Sequence, residues 1–384
     1  MTFEFATAAR IVFGPGVSKQ LPGIAGAFGS RALLVTGRSA ERAQPAAKAL
    51  EEAGVSSEIF GVDGEPTLAV VREGARAARA GKCDLLIGFG GGSAIDAAKA
   101  IAALATNSGE PLDYLEVIGK ARPLANAPLP FLAIPTTAGT GAEVTRNAVI
   151  GSPEHMLKAS LRSPLMLAKV ALVDPDLTAG LPPEVTVTTG LDALTQVIEP
   201  YVALRANAFT DAFCTEGMRR IASNLERAVR NGQNREARES MAFASLLGGL
   251  ALANAGLGAV HGFAAPLGGM LKAPHGGLCA AVLPHAIRVN IRALRERAAG
   301  GESLRRYQEA ARTLTANGQA QAEDCIVYVA ELCRRLAVPS LRAYGLEPKQ
   351  MTELVEKASK ASSMKSNPIQ LTAAELSEIV ERAL

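Results

Sequence analysis

The first half of the chain alternates short apolar runs with stretches of helical spacing. Residues 31–36 read RALLVT, the pattern of a strand buried on both faces, and residues 57–62, 84–88, 128–134 and 170–174 give further runs of the same kind. Between them, residues 40–53, 67–80 and 93–105 carry apolar positions three and four apart, and Gly54 and Gly81 follow the first two as stop signals. Continuous apolar strands separated by helices predict a parallel sheet covered on both faces. Past residue 181 the texture changes. Helical spacing dominates, with helices predicted over 210–228, 235–253, 257–271, 302–317, 324–336 and 371–384, the last capped by Thr372. The pattern predicts an α/β domain over residues 1–181 and an all-helical domain over 182–384, with a ligand site expected where two such domains meet.

Composition narrows this reading. A chain of 384 residues, 48 % of them hydrophobic, suits two domains with their own cores. The net charge is only +3, and no Lys/Arg stripe with interleaved aromatics points to nucleic acid. Arg292, Arg295, Arg297, Arg305 and Arg306 read as a solvated helix face. Residues 1–14 lack the basic start and apolar core of a secretion signal, and the longest apolar stretches are broken before membrane-spanning length. The five cysteines are scattered with no Cys-x-x-Cys pair, so neither a disulfide framework nor a thiolate metal site is expected, and a reducing cytoplasmic setting is.

Two loops carry candidate chemistry. The strand ending at Gly88 runs into Phe89-Gly90-Gly91-Gly92-Ser93 and then a helix. Consecutive glycines expose backbone amides, and the helix start adds free N–H groups and a positive dipole end, a combination suited to a diphosphate. Ser93 is expected both to cap the helix and to bond a phosphate oxygen. The spacing is not Gly-x-Gly-x-x-Gly, so this is not the standard dinucleotide fingerprint. The second loop, residues 135–145, reads PTTAGTGAEVT and follows the next strand; in open α/β sheets ligands sit outside those strand ends. In the helical half, three of the four histidines, His261, His275 and His285, lie close together in sequence. Upstream, Asp192 and Gln196 are four apart and share a helix face. One carboxylate and two imidazoles can bind a divalent metal, although packed histidines satisfied by backbone are an equal reading, and His285 is expected to be one of these.

Taken in order, the stretches GGGSAIDAAK (90–99), PTTAGTGAEVT (135–145), DPDLT (174–178), TGLDALTQVIE (189–199), VHGFAAPLGG (260–269), PHG (274–276) and LPH (283–285) resemble the iron-containing alcohol dehydrogenase family. The resemblance implies an N-terminal dinucleotide-binding domain with a parallel sheet and an all-α C-terminal domain, as in dehydroquinate synthase. It also implies NAD(P) and a divalent metal, Fe2+ or Zn2+, a small alcohol or carbonyl substrate and a homodimer. Matched to the family's motifs, Gly91, Gly92 and Ser93 would hold the diphosphate. Thr136, Thr137, Thr140, Thr145 and Lys158 would line the rest of the cofactor, Lys158 otherwise reading as an ordinary surface lysine. Asp192, Gln196, His261 and His275 would be the metal ligands, with His261 and His275 also the candidate catalytic groups. Two positions depart from the pattern. The family's third metal-binding histidine is Gln196 here, whose amide oxygen is a weaker donor. A histidine that often follows four residues after His261 is Ala265. Gly37 stands where NAD-preferring members carry an aspartate, and with Arg38 and Ser39 beside it NADP(H) is expected to be accepted. Two other readings stay open: a metal-independent reductase of the maleylacetate reductase type acting on an acidic carbonyl substrate, and a nucleotide-binding sensor without chemistry.

Overall fold

The structure, a computed structural model, describes residues 2–384. Eight strands form two sheets: β1 (Ile11–Phe13), β2 (Arg31–Thr36), β3 (Ser56–Gly61), β4 (Leu85–Gly90), β5 (Phe131–Pro135), β6 (Asn147–Ser152), β7 (Leu157–Arg162) and β8 (Val170–Val173). Six of them make one wholly parallel sheet of order β1-β8-β5-β4-β2-β3, and β6 and β7 form a separate antiparallel hairpin. The chain visits β2 and β3 on one side, then returns to place β4 beside β2 and builds outward in the other direction. The switch point therefore lies between β2 and β4, where Thr36 pairs in register with Phe89.

Around the sheet run α1 (Leu21–Gly26), α2 (Gln44–Glu52), α3 (Leu68–Ala80), α4 (Gly92–Thr106) and the short α5 (Pro111–Tyr114). The strand pleat divides their work. Leu34, Ile87 and Ile134 pack with Leu21, Ala25, Ala43 and Leu50 on one face, while Gly88 on the opposite face meets Ala98 and Ile95 of α4. Both faces are thus apolar, which is why β2, β4 and β5 read as unbroken hydrophobic runs.

The second unit is helical: α6 (Pro183–Val202), α7 (Ala208–Arg230), α8 (Arg235–Ala255), α9 (Ala259–Met270), α10 (His275–Arg297), α11 (Glu302–Thr315), α12 (Ala322–Arg335), α13 (Met351–Ser359) and α14 (Ala373–Ala383). Thr372 caps α14, its hydroxyl accepting from the Glu375 amide at 3.2 Å, as the sequence predicts. The two compact units comprise residues 6–137 with 141–179, and residues 2–5 and 138–140 with 180–384.

Three features differ from the sequence reading. The hairpin β6–β7 was not expected, because its residues are interleaved with Ser, Gly and Lys and its inward positions are spaced by two only over six residues. Helix α10 passes through Gly276, Gly277 and Pro284, which read as breakers. The arginines are not a simple solvated face. Arg297 Nη1 lies 2.6 Å from Glu375 of α14 and Arg306 Nη1 lies 2.6 Å from Asp211 of α7, so they tie helices together. No single helix among the described residues is long and apolar enough to cross a membrane.

Candidate functional site

The first candidate element is the turn at the switch point. β4 ends at Gly90, and Gly91, with extended backbone, is the N-cap of α4. The amides of the first helical turn have no partner within the helix, so Gly92 and Ser93 begin an anion-binding end. Gly90 has to be glycine because a Cβ there would lie 2.7 Å from Ala94 Cβ and 3.5 Å from the Gly37 amide nitrogen. The same closeness brings Gly37, which follows β2, beside the Gly-rich turn. Ser93, the second residue inside the helix, does not serve as the cap expected of it; Gly91 does.

The Thr-rich loop is fastened to this turn. The Thr136 amide donates to Gly90 O at 2.8 Å. Thr137 lies against Gly91, whose hypothetical Cβ would be 3.4 Å from it. Thr140 belongs to the short segment that groups with the helical unit. Thr145 is buried, and its hydroxyl accepts from Lys99 Nζ at 2.9 Å. Lys99, on α4, is fully buried, ion-paired with Asp96 at 3.0 Å, and donates also to the carbonyls of Ala142 and Asn147. It spans the loop from inside. Sequence reasoning passed over it as one residue of a motif; an Asp-Lys pair three apart among the alanines of a buried helix was the available signal. Lys158 is likewise not a surface residue. It is buried on β7 and paired with Glu65 at 3.0 Å. Arg38 lies in a two-pronged pair with Asp63, at 2.8 and 3.2 Å.

The second candidate element lies within the helical unit. Asp192 and Gln196 are one turn apart on α6, His261 is on the first turn of α9, and His275 begins α10. α10 can start this close to α6 only because residue 276 lacks a side chain: a Cβ on Gly276 would lie 2.0 Å from Thr188 O and 3.1 Å from Asp192 Cβ. Asp192 Oδ1 is 3.5 Å from His261 Nε2 and 3.8 Å from His275 Nε2, and the two imidazole rings are 5.5 Å apart. Cys279, one turn along α10 from His275, completes a group whose ligand atoms all lie within 4.8 Å of one another. No thiol was expected in this group from the sequence; the structure places the Cys279 sulfur within it. The cue was not a Cys-x-x-Cys pair but a cysteine four residues after a histidine, the same helical spacing as Asp192 and Gln196.

The polar atoms here are not satisfied among themselves. Asp192 Oδ1, Gln196 Oε1 and His261 Nε2 are buried without a hydrogen-bond partner. Buried polar groups are normally paired, so Asp192 Oδ1 and His261 Nε2, facing each other at 3.5 Å, fit a shared cation. A carboxylate oxygen, imidazole nitrogens and a sulfur at this separation suit a divalent transition metal. Gln196 reaches the same place through its nitrogen: Nε2 donates to Asp192 Oδ2 at 3.1 Å, while Oε1 lies against Gly248 of α8.

Glu199, one turn beyond Gln196, supports the cluster from behind. Its Oε2 accepts from His261 Nδ1 at 2.7 Å and its Oε1 accepts from the Val260 amide at 2.7 Å. The adjoining Ala259 amide donates to Asn367 Oδ1, and Asn367 is bonded in turn to Asn290, so the start of α9 is held by a buried polar network. Burial alone would lower the His261 pKa, but the carboxylates of Asp192 and Glu199 raise it to about 10. Burial acts to raise Asp192, yet the two histidines outweigh it and hold the carboxyl below its usual value. His285 is half-buried and stands outside this group; burial, with Arg288 and Arg382, lowers its pKa to about 4.

Comparison with known proteins gives the family. Residues 8–175 match the family model for iron-containing alcohol dehydrogenase, and residues 186–384 match that for the C-terminal region of the Fe-containing alcohol dehydrogenase family. The chain is 37 % identical to 1,3-propanediol dehydrogenase of Klebsiella pneumoniae, over 92 % of each chain. It is 35 % identical to NAD-dependent methanol dehydrogenase of Bacillus methanolicus over the full length of both. A crystal structure of 1,3-propanediol oxidoreductase superposes with a TM-score of 0.92 at 33 % identity, covering all of both chains. With the parallel sheet, the helical unit and both motif sets accounted for, the chain belongs to the iron-containing alcohol dehydrogenase family, oxidoreductases acting on CH–OH groups.

Proposed function

We propose that the protein is an NAD(P)-dependent alcohol dehydrogenase that also reduces the matching aldehyde or ketone, with the substrate oxygen held at the Asp192, His261 and His275 cluster. The observation that carries this is the convergence of the unpartnered, buried Asp192 Oδ1 and His261 Nε2 beside His275. NAD(P) would supply the hydride carrier, and Fe2+ or Zn2+ a Lewis acid. The chain's own residues do the rest. Gly91, Gly92 and Ser93 offer the amides of the α4 N-terminus to the diphosphate. Thr136, Thr137 and Thr140 line the cofactor, Thr145 fixes the loop through Lys99, and Lys158 meets the cofactor by exchanging Glu65 for it. Glu199 fixes the His261 ring with Nε2 toward Asp192. Without a metal, His261 or His275, the latter with a side chain 32 % exposed, donates the proton to the substrate oxygen, since Ala265 offers none.

NADP(H) is accepted in this reading, because Gly37 carries no carboxylate to repel a 2′-phosphate; Asp63 already engages Arg38, so the phosphate must compete for it. The apolar patch of Phe3 and Phe209, both exposed and in ring contact at 5.2 Å, supports a homodimer. Five cysteines with no disulfide among the described residues fit a reducing cytoplasm.

The test is NAD(P)H oxidation with a panel of aldehydes and ketones, before and after chelation, with metal analysis of the purified protein. Turnover lost on chelation and restored by Fe2+ or Zn2+ is expected. Turnover indifferent to chelation favours the maleylacetate reductase type, and none with any carbonyl favours the sensor; the similarities above support neither alternative.

A further inference from the structure

We propose that Cys279 is a metal ligand in this protein, taking the coordination position that Gln196 leaves unfilled, so that the site is a carboxylate, two imidazoles and a thiolate. This rests on the metal-dependent reading above and goes beyond it in the donor set.

The amide of Gln196 is turned the wrong way. Its nitrogen, a donor without ligand character, bonds Asp192 Oδ2 at 3.1 Å, and its oxygen lies against Gly248. Turning the amide over would set Oε1 against Asp192 Oδ2, two acceptors in contact in a buried place. Cys279 needs no such change. It is buried and sits one helical turn from His275, with Sγ 3.7 Å from His275 Nε2. Its sulfur belongs to the group of ligand atoms, with Asp192, His261 and His275, that all lie within 4.8 Å of one another. Ligands held about 2.0–2.3 Å from a shared ion lie within 4 Å or so of one another, the separation seen for Asp192 Oδ1 with each histidine and for Sγ with His275. Two orphaned atoms, Asp192 Oδ1 and His261 Nε2, mark where the ion belongs.

The chemistry follows from the donor. On binding, the S–H bond breaks, its proton passes to solvent, and the sulfur lone pair forms the metal–sulfur bond. Thiolate in place of imidazole makes the set softer and shifts preference toward Zn2+ and Co2+, away from hard oxygen-seeking cations.

The experiment is Co2+ titration of the full-length protein freed of metal by chelator, followed by absorption spectroscopy. Expected for the wild type are the visible bands of cobalt in a low-symmetry site together with a near-ultraviolet sulfur-to-cobalt charge-transfer band. Cys279→Ser keeps the visible bands and loses the charge-transfer band, and its Zn2+ affinity falls about 10-fold or more, at least the loss that even an outer-sphere change produces. Gln196→Ala keeps both bands. Circular dichroism and thermal melting of the metal-free variants establish that each is folded. Visible bands without charge transfer in the wild type overturn the thiolate while leaving the metal reading intact. So does a charge-transfer band that persists in Cys279→Ser. Absence of any cobalt spectrum overturns both.

Discussion

Glu199 binds both the ring and the backbone of the same helix start: one oxygen accepts from His261 Nδ1 and the other from the Val260 amide, each at 2.7 Å. The contact fixes which imidazole nitrogen faces Asp192. Replacing Glu199 by Gln, which no longer offers two acceptor oxygens, is expected to lower Zn2+ affinity about 10–100-fold. Competition against a chromophoric chelator measures this, and nitrogen NMR of labelled histidine should show His261 changing tautomer. Unchanged affinity and tautomer would separate Glu199 from the site.

Lys99 is the internal tie of loop 135–145, the proposed cofactor loop. Lys99→Met keeps most of the volume but leaves Asp96 and the carbonyls of Ala142 and Asn147 without their cation. Breaking a buried pair from one side costs about 3–5 kcal/mol, to be read as a shift in the denaturant midpoint. Because Thr145 loses its partner as well, the KM for the coenzyme should rise with the loop loosened.

Asp63 occupies Arg38 in an exposed pair. Freeing the guanidinium in Asp63→Ala should raise kcat/KM for NADPH relative to NADH by roughly two- to fivefold, the range of a surface ion pair. A ratio unchanged or moved toward NADH would remove Arg38 from cofactor selection.

Glu143, in the same loop, is fully buried, and burial raises its pKa to about 7 despite its own backbone hydrogen bond and the charge of Lys99. In the unfolded chain it ionises near 4.5. Between those values the folded state binds more protons than the unfolded, so stability falls as pH rises from 4.5 to 7. The difference corresponds to about 3 kcal/mol. Glu143→Gln should therefore melt higher than wild type at pH 8 and lose that advantage at pH 4; melting curves at both pH values decide it.

The strands β2, β4, β5 and β8 and the helices that flank them were legible because both sheet faces are apolar and hydrophobic runs between helical stretches have few other solutions. The glycines of residues 90–92 and the histidines 261 and 275 were legible for a different reason: their chemistry needs backbone amides or imidazole, and few other residue types supply these. Helix α10 was hidden by Gly276, which reads as a breaker but is where α10 and α6 touch. The buried state of Lys158 was hidden because its cover, Glu65, lies 93 positions away in sequence, outside any periodicity.

By itself, the sequence determined the α/β half, the helical half, the glycine turn before α4 and the family. Only the tertiary structure decided which side chains gather around Asp192. Helical spacing relates Asp192 to Gln196 and His275 to Cys279 within each helix, but it says nothing about how α6, α9 and α10 approach one another. That approach turns the Gln196 nitrogen onto Asp192, brings Cys279 to His275, and leaves Asp192 Oδ1 and His261 Nε2 without partners.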